Sequence, residues 1–465
     1  MQMKSPTRYL MPIATLLLIA QNVLAQDYSA YLGVYQSEPD PSSYIQVKEQ
    51  DGKLYFYTTE GVMEAKLHTQ GDYELIHYFS HGEFNDLKQG QYQQIVNQDY
   101  ATRVRYQRVN DTSILDLSNI HHGHLHAESI GTDFQCENEF PFELTGTLNE
   151  TLSPLWKDIN SGRYGRINSV LVAKDGKLLA EKYFNGFNHE EKQTVQSVSK
   201  SIISLLTGSA LEEGDIESIQ NPISKYFPQY KTSFSEQKQA ITIQHLLTMK
   251  AGWEWDETSL PYTDAKNSRT PQMAAEDTIK HVLDLPLSHS PGDFFVYSGG
   301  VVDVMAELIK NATNSPSTAN YFKQSRLAPL CIKNASLFSM ADGRAAAGGG
   351  MLFRPRDMLK FGQLVLNDGR WGDQQLLSKA WIKESTQGPL YPYSPNYAYY
   401  WWNDVFLAKR QRHPAIIALG WGDQSIVVFK ELNLVIVTTG YNFERDFEYK
   451  NIVQQHILPA VLESL

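Results

Sequence analysis

The sequence predicts an α+β fold: an antiparallel sheet flanked by helices, with a helical lobe inserted, preceded by a small all-β domain. Three observations predict it. Residues 27–140 carry short strand-like runs and no amphipathic helix. Residues 145–465 carry strand patterns at both ends and helical patterns between them, so one sheet has to be assembled from distant segments. After Ser197, the residues Ile202, Ile203, Leu205, Leu206, Ala210 and Leu211 have the spacing of a helix with a buried face. A chain of 465 residues has room for two or three domains.

The elements follow in order. Lys4 and Arg8 precede an apolar run over 10–20, and Val23-Leu24-Ala25 ends on a small residue. This is the pattern of a signal peptide over 1–25, cut near Ala25, and it predicts a secreted or periplasmic protein. The run is shorter than the roughly 18 to 20 residues of a spanning helix. In the β-domain, 44–47 and 54–57 read as strands joined at Asp51-Gly52, a hairpin dipeptide. Strands over 73–76 and 102–109 complete a barrel or sandwich. From 145 onward, a helix over 148–159 and a strand over 169–172 come first. Asp175-Gly176 then turns the chain into a strand over 178–183. The Ser197 helix ends before Gly214. Helices are expected over 243–249, 273–283, 301–309 and 355–366, the last framed by Pro355 and Gly369. Strands over 425–429 and 434–439 and a helix over 449–462 close the chain.

Composition excludes some function classes. The formal net charge of -11 argues against non-specific nucleic-acid binding. Cys136 and Cys331, the only cysteines, lie far apart and fall in different predicted domains, so two unpaired thiols are expected.

The chemistry starts at Ser197-Val198-Ser199-Lys200. Residues three apart are neighbours on a helix, so the lysine amine can lie beside the serine hydroxyl and take its proton. Ser235-Glu236-Gln237-Lys238 repeats the spacing, but in a polar stretch with no apolar face. A second candidate is Tyr297, after the Pro291-Gly292 turn and before Gly299-Gly300. Beside a lysine ammonium its phenol would ionise more easily and could act as a base. A third is Ala418-Leu419-Gly420-Trp421, ahead of a strand, where glycine allows close backbone approach. A backbone N–H there, with that of Ser197, could form an oxyanion hole.

In this order, Ser-x-x-Lys, Tyr-Ser-x after Pro-Gly and a glycine-ended strand resemble the serine β-lactamase and penicillin-binding-protein family. The likeness is closest to the class C β-lactamase-like branch, with its esterases, D-amino-acid peptidases and 6-aminohexanoate-dimer hydrolases. Residues 170–177, residues 243–252 and Gly348-Gly349-Gly350-Met351 before Pro355-Arg356-Asp357 extend it. The resemblance implies a β-lactamase/transpeptidase-like fold over 145–465 and a serine hydrolase acting on an ester or amide. Ser197 would be the acylated nucleophile, with Lys200 and Tyr297 as its proton partners. The N–H groups of Ser197 and Trp421 would form the oxyanion hole. Gly299, Ala418, Gly420 and Trp401 would line the substrate. No cofactor or metal is implied, and the partner is a small-molecule or peptide-like ester or amide.

Two positions depart from the family pattern. Tyr-x-Asn reads Tyr297-Ser298-Gly299, and Lys-Thr-Gly reads Ala418-Leu419-Gly420. The groups that grip a penicillin's amide and carboxylate are absent, so weak or no β-lactamase activity is expected. Arg410, Arg412 or His413 could restore a cation. Two alternatives remain at this level. One is a zinc hydrolase built on His121-His122-Gly123-His124-Leu125-His126, since three imidazoles suit Zn²⁺. The other is an inactive β-lactamase-like protein that binds cell-envelope material.

Overall fold

The computed structural model describes residues 27–37, 44–50, 52–57, 62–67, 72–75, 80–99, 102–110, 127–132, 136, 139–260, 266–387, 396–443 and 445–464. The chain divides close to residue 122 into two compact units.

In the first unit eight strands close into a barrel in sequence order. They are β1 (Gly33–Ser37), β2 (Tyr44–Gln50), β3 (Lys53–Tyr57), β4 (Val62–Leu67), β5 (Asp72–Leu75), β6 (Ser80–Lys88), β7 (Gln91–Asp99) and β8 (Thr102–Val109). Closure comes from β1 against β8, with Val34 opposite Val109. Alternation places Ile45 and Val47 of β2, and Leu54 and Phe56 of β3, in the interior. Phe56, Tyr73 and Phe84 fill the centre, with ring centroids 4.7–5.8 Å apart.

The second unit is a sheet between two helical layers. Its elements are β9 (Ala127–Ser129), β10 (Glu143–Leu144), α1 (Ser153–Asn160), β11 (Ile167–Lys174), β12 (Lys177–Tyr183), β13 (Gln193–Thr194) and α2 (Val198–Glu212). Then come α3 (Ile243–Leu247), α4 (Arg269–Met273), α5 (Thr278–Asp284), α6 (Gly299–Ala312), α7 (Thr318–Gln324), β14 (Ser336–Phe338), β15 (Met351–Phe353) and α8 (Pro355–Leu366). The rest are β16 (Arg370–Trp371), β17 (Gln374–Gln375), α9 (Lys379–Gln387), β18 (Trp402–Ala408), β19 (Gln411–Gly420), β20 (Gln424–Phe429), β21 (Leu434–Gly440), α10 (Tyr449–Ile452) and α11 (Leu458–Glu463).

The main sheet has the order β10-β12-β11-β21-β20-β19-β18. The early hairpin therefore pairs with the last strand, Leu171 opposite Val437. The Asp175-Gly176 turn has positive φ at both residues, 50° and 76°, as a two-residue hairpin requires. One sheet face, with Leu171, Ala173, Ile426 and Val437, packs on α2 and α8, and α6 packs in turn on α2. The other, with Val170, Val172, Val427 and Ile436, packs on α1 and the C-terminal helices. The period-2 alternation of strands buried on both faces produces these two cores.

Both cysteines belong to this second unit and form a disulfide, with Cα atoms 6.1 Å apart. That overturns the expectation of two unpaired thiols in different domains. Sequence separation misled because β9 pairs with β14, Glu128 opposite Leu337, and brings the two segments together. The histidine run 121–126 and the leader 1–25 lie outside the described residues. Among the described residues no group of three or more His, Cys, Asp or Glu could hold a metal ion. No helix among them is long and apolar enough to cross a membrane.

Candidate active site

Ser197 sits at the N-cap of α2, directly after Gln196, whose φ of 51° is left-handed. This sharp turn between β13 and α2 presents the serine at the helix start. Ser197 does not cap the helix. Its Oγ instead accepts a 2.9 Å hydrogen bond from Lys200 Nζ, one helical turn on. The helix itself is buried on all sides from Val198 to Ala210, as expected for a central core helix. Two of its polar side chains near the site are matched: Ser199 Oγ accepts from Met351 N, and Ser201 Oγ donates to the Tyr400 carbonyl.

Lys200 is 3 % exposed. It also donates to the Gly348 carbonyl. Burial lowers its pKa to about 8, with Arg269 pushing the same way and Glu257 and Asp303 opposing. Tyr297 shares a side-chain hydrogen bond with Ser197. Its ring centroid lies 4.8 Å from Lys200 Nζ. The loop carrying it is fixed by Val296 N and Gly292 N, which donate to the carbonyls of Met249 and Lys250 at 2.8 Å. Burial raises the phenol's pKa, outweighing the hydrogen bond from Ser197. The easier ionisation expected beside a lysine is therefore not found, because desolvation dominates. Three residues expected together from sequence are thus brought together: Ser197, Lys200 and Tyr297.

The end of β19 closes the other side. A Cβ on Gly420 would lie 2.4 Å from the Val195 carbonyl oxygen and 3.0 Å from Ser197 N. Only glycine lets this strand pass so close to the nucleophile turn. Trp421 follows, with its ring edge-on to Phe443 at 5.4 Å. The N–H groups of Ser197 and Trp421 thus belong to adjoining backbone segments, the arrangement an oxyanion hole needs.

Several expected roles do not survive. Ala418 is wholly buried in the core shared with α2, so its side chain lines no cleft. Trp401 is likewise 0 % exposed. Its neighbour Trp402 is the one beside the site, 6.1 Å from Tyr297 and 4.6 Å from Tyr397 by ring centroids. Arg410 and Arg412 are exposed around the β18–β19 turn. At about 3.4 Å per residue, Arg410 is roughly 34 Å along the strand from Gly420, and even His413, which is buried, lies about 24 Å away. None of the three supplies the missing cation. The second Ser-x-x-Lys match also separates: Lys238 Nζ donates to the Leu283 carbonyl at 2.6 Å, turned away from exposed Ser235.

The sequence reading missed a charged cluster. Glu257 Oε2 accepts from Gly299 N at 2.7 Å and from Trp255 Nε1 at 2.9 Å. Asp303 on α6 pairs with Arg269 and accepts from Gly348 N at 2.9 Å. No spacing signal marks these residues, because they come from separate segments.

The layered sheet and the buried serine–lysine pair define a protein of the β-lactamase/transpeptidase-like fold. The chain belongs to the Beta-lactamase family, whose model matches residues 164–447. It is 28 % identical over 177 residues to Protein flp of Staphylococcus aureus strain COL, covering 36 % of this chain and 34 % of that one. The chain thus spans about a third of the length of that relative. It is 24 % identical over 237 residues to the 6-aminohexanoate-dimer hydrolase of Paenarthrobacter ureafaciens, covering 48 % of this chain and 57 % of the relative. A solved Bacillus anthracis structure described as a candidate 6-aminohexanoate-dimer hydrolase superposes with a TM-score of 0.60 at 21 % identity. It covers 73 % of this chain and 92 % of that one. Relatives within this fold family are hydrolases.

Proposed function

We propose that this protein is a serine hydrolase that cleaves an ester or amide through an acyl-enzyme on Ser197. The observation that carries the reading is the buried Lys200 Nζ, 2.9 Å from Ser197 Oγ, with a pKa lowered to about 8. About a tenth of such lysines are neutral at pH 7, enough to act as the base in the resting enzyme. Ser197 Oγ attacks the substrate carbonyl while Lys200 takes its proton. The oxyanion is held by the N–H groups of Ser197 and Trp421. Tyr297, kept protonated by burial, passes a proton to the leaving alcohol or amine as the C–O or C–N bond breaks. The proton on Lys200 then returns to the Tyr297 phenolate, and water attacks the acyl-enzyme while Lys200 takes its proton, which passes to Ser197 Oγ as the acid leaves.

The substrate in this reading is a small-molecule or peptide-like ester or amide without a carboxylate beside the scissile bond. Ala418 replaces the family's lysine and is buried. Arg269, which lies near Gly299, is already paired with Asp303. A charge-assisted contact contributes about 1.5 to 3 kcal/mol, so losing it weakens penicillin binding by roughly one to two decades. The Cys136–Cys331 disulfide supports secretion or export to the periplasm, where such bonds persist. The test is a panel of p-nitrophenyl esters, D-peptides, linear amides and β-lactams on wild type and Ser197→Ala, with fluorophosphonate labelling. Labelling and ester or amide turnover that vanish in Ser197→Ala support the reading. Turnover that persists in folded Ser197→Ala rejects it, and penicillin hydrolysis at ordinary enzyme rates rejects the substrate assignment.

A further inference from the structure

The second family motif has lost its asparagine to Gly299, and something else occupies the space. A Cβ on Gly299 would lie 3.2 Å from Glu257 Oε2 and 3.3 Å from Arg269 Cζ. An asparagine side chain would start inside that ion-lined space. Gly300 is constrained too: its Cβ would meet the Trp255 ring at 2.6 Å. Trp255 in turn donates to the same Glu257 oxygen that receives Gly299 N. The two glycines and the Trp255-x-Glu257 pair are therefore one clamp. It grips the backbone directly after Tyr297, and it brings a carboxylate where the family carries an amide.

The carboxylate faces the proton-transfer groups. Lys200 is surrounded by Glu257 from the segment after Trp253, Arg269 of α4, Asp303 of α6 and the Tyr297 phenol. Lys200 Nζ donates to the carbonyl of Gly348, whose own N–H donates to Asp303 Oδ1. Gly348 also packs on Gly299, since its Cβ would fall 2.9 Å from Gly299 Cα. Arg269 pairs with Asp303. The cluster thus has two cations and two anions, and Glu257 is the anion not ion-paired to Arg269 in that bond.

We propose that Glu257 is a positioning residue of this site: its carboxylate stands in for the missing asparagine, holds the Tyr297–Gly299 turn by the backbone and sets the protonation of Lys200. Glu257 favours the charged lysine and the neutral phenol, and Arg269 favours the neutral lysine. Removing the carboxylate's charge makes Lys200 lose its proton at lower pH, so the base form appears earlier. Removing the guanidinium does the reverse.

The inference rests on the Ser197 acyl-enzyme reading, and the experiment separates the two. Wild type, Glu257→Gln, Glu257→Asp and Arg269→Gln are assayed for kcat/KM against pH on an ester that labels through Ser197. The acidic limb should move down by about one unit in Glu257→Gln, stay near wild type in Glu257→Asp, and move up in Arg269→Gln. A general loosening of the fold would not give shifts of opposite sign. Profiles for Glu257→Gln and Arg269→Gln that superpose on wild type, or move together, overturn the role of Glu257 while leaving Ser197 intact. If Glu257→Gln does not fold, Glu257→Met, of similar length and without the charge, takes its place, and an acidic limb that superposes on wild type overturns the role of Glu257. Absence of fluorophosphonate labelling in folded wild type rejects the acyl-enzyme reading instead.

Discussion

At the scale of single residues the buried lysine bears on stability and, in the proposed mechanism, on activity. The folded pKa of Lys200 is about 8 against an ordinary 10.5. The unfolded chain therefore binds the proton more tightly. Below pH 8 the folded state bears the full penalty, about 3 kcal/mol for a shift of this size. The penalty is relieved as pH rises from 8 toward 10.5, because there the unfolded state still carries the proton that the folded state has lost. Lys200→Met removes the charge but leaves the Gly348 carbonyl without its donor, which returns about 1 kcal/mol of the gain. The variant should show no Ser197 labelling, yet melt at a higher temperature than wild type at pH 7, with the difference shrinking by pH 9.5. Melting curves at the two pH values check the sign. In wild type kcat/KM should rise with pH and reach half its plateau near pH 8. Much of this was legible in sequence, since Ser197 and Lys200 are separated by one helical turn. The direction of the Tyr297 shift was not, because burial by residues from other segments outweighs the neighbouring ammonium.

At the scale of elements, the site depends on how closely β19 approaches the turn before α2. The Val195 carbonyl and Ser197 N are so near Gly420 that a methyl group there has no room. Gly420→Ala should push the strand end away from Ser197 and take the Trp421 N–H with it. A displacement near 1 Å at an aligned site lowers kcat by about 10²-fold, and KM should change less. Steady-state kinetics on a fast ester, with labelling to confirm that Ser197 still reacts slowly, measure this. A kcat within a few-fold of wild type would mean that the strand end is not part of the oxyanion site. Periodicity and punctuation located several elements around this geometry, though not the bounds of β18 and β19. α8 runs Pro355–Leu366 as Pro355 and Gly369 foretold, and β20 and β21 fall where strands were expected. Position 273–283 was less legible: a break separates α4 from α5, and Asp277 caps α5 by accepting from Lys280 N. Trp401 and Trp402 show another limit. Adjacent residues around a strand start face opposite ways, so which of the pair meets Tyr297 depends on register, and register comes from pairing with β19.

At the scale of the whole molecule, the second unit is tied together by contacts between residues far apart in sequence. The early hairpin pairs with the last strand, and β9 pairs with β14. Glu257, Arg269 and Asp303 meet only because this topology folds their segments over α2, which is why no local pattern announced them. The Cys136–Cys331 bond reinforces the same closure across 195 residues of chain. Closing a loop of that length removes enough freedom from the unfolded chain to add up to about 5 kcal/mol of stability in the chain-entropy model. Cys331 itself has a left-handed φ of 57° after a short helical turn, while β14 begins five residues on. The crosslink therefore ties the segment after β9 to the one before β14 within the second unit, beside two strands that are already paired. Reducing the bond, or replacing Cys331 by serine, should lower the melting temperature of the second unit by several degrees. Ser197 labelling at 25 °C should survive, since Ser197, Lys200 and Tyr297 touch neither cysteine. Mass spectrometry of the unreduced protein should show a single internal crosslink and no alkylatable thiol. Two free thiols in folded, unreduced protein, or an unchanged melting temperature on reduction, would remove both this stabilisation and the structural support for an oxidising compartment.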